Sequence, residues 1–89
     1  MTTTEQQTLI SQISTILQQD LGMSPWQAEE FEQSLAEPNF FEFWFGGNRG
    51  GSLKVYIDRG VPYVVDQYNV VTLKAIVKNV NAKIRELFI

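Results

Sequence analysis

Phe40-Phe41-Glu42-Phe43-Trp44-Phe45, followed beyond the loop Gly46 to Gly51 by Ser52-Leu53-Lys54-Val55-Tyr56-Ile57-Asp58, carries the pattern from which the architecture is read. Aromatic and β-branched side chains fit a pleated, half-buried surface better than a helix, so the dense aromatic run predicts a strand. In the second segment Leu53, Val55 and Ile57 alternate with Lys54 and Tyr56, which predicts a second strand with two unlike faces. Asp58-Arg59-Gly60 reads as a three-residue turn in which Gly60 supplies the positive φ of a bulged hairpin. It leads into a third strand over Val61 to Asp66. Pro62 has no N–H to give to a ladder, which places that strand at the sheet edge or turns that position outward.

Register follows from the alternation. Pairing Phe45 with Leu53, Phe43 with Val55 and Phe41 with Ile57, and adding Val61, Tyr63 and Val65, makes one sheet face wholly apolar. That face is expected to meet the helices. The opposite face then gathers Phe40, Glu42, Trp44, Lys54, Tyr56, Pro62 and Val64, a mixture of rings and a few charges that either a helix or a partner covers.

Working outward, Leu9, Ile10, Ile13, Ile16, Leu17 and Leu21 recur at helical spacing from Thr4 to Leu21, with Gly22 suited to the left-handed conformation that ends a helix. Ser24-Pro25-Trp26-Gln27 then sets a hydroxyl at the N-cap, proline at the first helical position and glutamine at the third, which starts a second helix. Ala28, Phe31 and Leu35 point inward, Glu29, Glu30, Glu32 and Glu37 outward, and Pro38 ends it near Ala36. After the strands, Leu73, Val77, Val80, Ile84 and Leu87 draw a third helical stripe from about Asn69 to Phe88, with Lys74, Lys78, Asn81 and Arg85 along its other side. The expected fold is α+β, in the order α-α-β-β-β-α, with a three-stranded antiparallel meander packed against helices and one domain over residues 1–89.

Composition narrows the function. At 89 residues, a chain with 44% hydrophobic and 12% aromatic content has the material for one ordered core. The absence of cysteine and histidine removes disulfides, thiolate nucleophiles, zinc knuckles and imidazole acid-base chemistry. No motif arranges the remaining carboxylates, lysines and hydroxyls for catalysis, so the expectation is a non-enzyme with no cofactor and no metal. Met1 to Gln7 lacks the basic start and apolar run of a signal peptide, and no apolar stretch is long enough to span a bilayer. A cytoplasmic location without membrane contact is expected.

The net charge of −3 is unevenly laid out. Met1 to Phe45 holds seven acidic residues and no Lys or Arg, whereas Gly46 to Ile89 holds all seven basic residues and three acids. Phosphate binding draws on a surplus of Lys and Arg, so an acidic chain demotes nucleic acid.

Three surfaces remain as candidates. The second sheet face, Phe40, Glu42, Trp44, Lys54, Tyr56, Pro62 and Val64, offers ring-bearing anchors that bury much area for few rotatable bonds. Its ordinary alternative is a second layer of core under a helix. Lys74, Lys78 and Arg85, with Lys83 beside them, form a basic ridge that either binds an acidic partner or an anionic surface or is merely solvated; the acidic second helix either lies near enough to offset it or lies apart, leaving two oppositely charged sides. Arg49, within the glycine loop, is a weak phosphate cradle and more ordinarily a hairpin loop. The expected function is a small protein-protein interaction module, an adaptor or regulatory subunit with self-association as one option, using the aromatic face and the edge strand Val61 to Asp66. The alternative is a single-stranded nucleic-acid accessory protein that stacks bases on the same rings beside Arg49 and Lys54.

Overall fold

Six elements follow one another in the computed structural model, which describes residues 4–37, 40, 42–46, 52–67 and 71–89. They are α1 (Thr4–Leu21), α2 (Pro25–Leu35), β1 (Glu42–Gly46), β2 (Ser52–Asp58), β3 (Val61–Asp66) and α3 (Val71–Glu86). The strands form one antiparallel sheet in the order β1-β2-β3, so the chain has the expected α+β architecture. Phe41 and Tyr68 to Val70, which carried parts of the expected register and of the third helix, lie outside the described residues.

The helix ends form where the local chemistry puts them. Gly22 takes φ 71° directly after α1. Ser24 Oγ accepts the Gln27 N–H at 3.1 Å, which satisfies one of the orphan donors at the start of α2, and Pro25 occupies a position whose N–H needs no partner. α2 ends at Leu35 with Ala36 as its cap, two residues before Pro38.

All three helices lie on one side of the sheet. α1 packs against both α2 and α3, whose backbones do not approach each other; α2 reaches β1 and α3 reaches β3. The helical layer therefore runs α2, α1, α3 across the strands, and α1 closes the middle with Ile13, Leu17 and Leu21. Beneath them Phe45, Leu53, Val55 and Val64 form the sheet's share of the core, joined by Phe31 from α2 and by Leu73, Val80 and Ile84 from α3. Fully burying side chains of this size stabilises by about 1.5–3 kcal/mol each. Phe31 also meets Phe43 edge-on, with ring centroids 5.4 Å apart.

The hairpin between β2 and β3 departs from the expected geometry. Asp58 pairs with Val61, so the turn is the two residues Arg59 and Gly60, at φ 54° and 81°. Positive φ at both central positions is the two-residue connection whose twist matches that of the strands. One residue fewer in the turn inverts the phase of β3, because side chains alternate with a period of two. Pro62 and Val64 consequently face the helices and are buried, while Val61, Tyr63 and Val65 take the other side.

Candidate partner-binding surface

β1 and β2 keep the expected register: Glu42 lies opposite Tyr56, Phe43 opposite Val55, Trp44 opposite Lys54 and Phe45 opposite Leu53. Phe43, Phe45, Leu53 and Val55 thereby turn toward the helices, and Glu42, Trp44, Lys54 and Tyr56 turn away from them. Tyr63, opposite Tyr56 on β3, joins this open face.

The side chains on the open face engage one another. Lys54 Nζ stands 5.1 Å from the Trp44 ring centroid and 5.4 Å from that of Tyr56, within the range of cation–π attraction. It is also 3.6 Å from Glu42 Oε2, with both side chains about a third exposed or less. The Tyr56 and Tyr63 rings meet with centroids 4.0 Å apart and tilted by 55°. Trp44 remains 48% exposed. The face is thus a pre-ordered row of rings around one neutralised ion pair, and no described helix covers it.

Three residues expected on this face lie elsewhere. Pro62 and Val64 are buried under the helices because the two-residue turn inverts β3. Phe40 is half-buried and packs against the core, its ring 6.3 Å from Phe31 in an edge-on contact. Tyr63 joins the face for the same reason of phase; Gly60 serves either turn, and it is Arg59 at φ 54° that makes the connection the shorter one.

The two sheet edges differ. Asn81 of α3 accepts the Val64 N–H on Oδ1 at 2.7 Å and donates Nδ2 to the Val64 carbonyl at 3.0 Å. Asn81 was expected on the solvated side of its helix beside the lysines; it instead occupies the outer backbone groups of β3, as a neighbouring strand would. Pro62, two residues away, also points its nitrogen outward, so its missing N–H costs the ladder nothing. The expected availability of Val61 to Asp66 for strand addition is therefore corrected: the middle of that edge is shut. The same alternation carries across the sheet and leaves the N–H and C=O groups of Glu42, Trp44 and Gly46 directed outward from β1. Among the described residues none pairs with them.

On α3, Lys74, Lys78 and Arg85 are exposed, as is Lys83, whose ammonium meets Asp20 of α1 at 2.6 Å. The acidic and basic helices lie apart, on opposite flanks of α1. Arg49 lies outside the described residues. No group of three or more acidic side chains in metal-binding proximity occurs among the described residues, which hold no cysteine or histidine. An apolar cleft of about 470 Å³ opens between α1, the end of α2 and the β2–β3 hairpin, lined by Leu9, Ile10, Leu35, Phe40, Ile57 and Phe88. It draws on four segments far apart in sequence, so periodicity within any one of them gave no sign of it.

No family model, curated protein or solved structure matches this chain. The functional reading accordingly rests on the surface itself. Among the described residues no helix is long and apolar enough to cross a membrane.

Proposed function

We propose that this chain is a small non-enzymatic protein-protein interaction module, an adaptor or regulatory subunit that holds its partner through the open aromatic face. The observation that carries the reading is Trp44, half-exposed on a strand and already oriented by Lys54 on its neighbour. An anchor fixed before binding loses little side-chain entropy on binding, and large rings in such positions supply much of the energy of protein interfaces. The single-stranded nucleic-acid reading draws less support, because among the described residues the cation beside the rings, Lys54, is paired with Glu42, and the adjoining α2 carries only negative charge.

Affinity capture from a native lysate with the wild-type chain, Trp44→Ala and Tyr56→Ala tests the reading. Each substitution is expected to abolish capture of the wild-type partner while lowering stability by no more than about 1 kcal/mol, since neither side chain belongs to the core. Undiminished capture by both variants, or a collapse of the melting transition in both, would set the reading aside.

A further inference from the structure

We propose that the outer edge of β1 receives an extended, cationic segment of the partner protein as a fourth strand of the sheet. This rests on the interaction-module reading and names the chemistry of what binds. The backbone supplies the first argument: Glu42, Trp44 and Gly46 present outward donors and acceptors with no partner among the described residues, while the opposite edge is occupied at Val64 by Asn81. Strand addition satisfies such a row of groups directly and fixes the register of the incoming chain.

Charge decides the occupant. The stretch from Pro25 to Gly46, which supplies α2 and β1, holds Glu29, Glu30, Glu32, Glu37 and Glu42 and no Lys or Arg. A second copy docked edge to edge through β1 would bring two such stretches together, setting like charges side by side. A segment with Lys or Arg at alternate positions meets this stretch with opposite charge instead. Side chains facing Glu42 and Trp44 share the open face, where Lys54 already engages both the Trp44 ring and the Glu42 carboxylate, so the opposite charge an incoming Lys or Arg meets is that of Glu29, Glu30 and Glu32 on α2. The intervening positions fall on the helix side, beside half-buried Phe43, and suit apolar residues. The expected ligand is therefore an alternating apolar and basic strand.

Titration of the full chain, labelled with ¹⁵N, with a Val-Lys repeat peptide and a Val-Glu repeat peptide tests this. The Val-Lys peptide is expected to shift the amides of Glu42, Trp44 and Gly46 and to bind at least about tenfold more tightly than the Val-Glu peptide. Methylating alternate backbone nitrogens of the Val-Lys peptide is expected to abolish binding in one phase and spare it in the other. Trp44→Pro, which removes an outward N–H that Trp44→Ala retains, should weaken binding beyond the alanine variant. Equal affinity for both peptides, unmoved β1 amides, or a dimer in sedimentation equilibrium that shields those amides would overturn the proposal. If the peptides fail while Trp44→Ala still abolishes capture from lysate, strand addition falls and the interaction module stands; if capture is also indifferent to Trp44 and Tyr56, both fall.

Discussion

Arg59 sits at φ 54°, a region that side chains with a Cβ enter at a cost, and Gly60 follows at φ 81° with open space around its Cα. Gly60→Ala therefore meets no steric neighbour and is expected to cost about 1 kcal/mol through backbone strain alone. Arg59→Asn, placing a residue that tolerates the left-handed region, is expected to raise stability by about 0.5 kcal/mol. Urea denaturation of the two variants checks both signs. Asn81 is the second residue with influence beyond its size. Asn81→Ala leaves the Val64 N–H and C=O without their side-chain partners, at an expected cost of about 1–3 kcal/mol, and opens a strand edge. Sedimentation velocity is expected to show this variant associating where the wild type does not.

At the scale of elements, β3 is the sharpest test of the fold because its neighbours Val64 and Val65 differ so much in burial. Val64 is 1% exposed on the helix side, whereas Val65 is half-buried on the open face. Val64→Ala is expected to destabilise by about 2 kcal/mol and Val65→Ala by less than about 1 kcal/mol, measured by chemical denaturation. The reverse order would restore the bulged three-residue turn. The three helices were legible from spacing, and the end of α1 and the start of α2 from Gly22 and Ser24-Pro25, which act within one turn of the residues they govern; the third helix, expected to run to Phe88, ends at Glu86, where no capping residue marks the stop. The β1–β2 register was legible as well, since an apolar pair at every second position leaves one phase. β3 was not: Val61 to Val65 is apolar on both sides of the strand, so the turn alone sets its phase, and the turn differs by one residue between two readings of Asp58-Arg59-Gly60. Asn81 was illegible for another reason, because its amide bonds backbone atoms 17 residues away and no local pattern encodes that.

Across the whole molecule the charges separate as they do along the chain. α2 with β1 forms the acidic flank, α3 with β3 the basic one, and α1 lies between, joined to α3 by the Asp20–Lys83 pair. With those side chains 25% and 54% exposed, the pair contributes little to stability. Backbone protection should follow the sheet in the same asymmetric way. In native-state hydrogen exchange, Phe43 and Phe45, bonded inward to β2, are expected to exchange at least about a hundredfold more slowly than Glu42 and Trp44. Val64 is expected to be slow although it lies on an edge, because Asn81 holds it. Fast exchange at Val64 together with slow exchange at Trp44 would invert the assignment of the edges.

The amide of Asn81 over Val64 also governs how many molecules one sheet can recruit. A sheet with two receptive borders would template its own copies without limit, each newcomer presenting a fresh border to the next. With one border closed by Asn81 and by the imino nitrogen of Pro62, each molecule keeps a single receptive border, so strand pairing between copies of this chain closes at two and cannot run on into a filament.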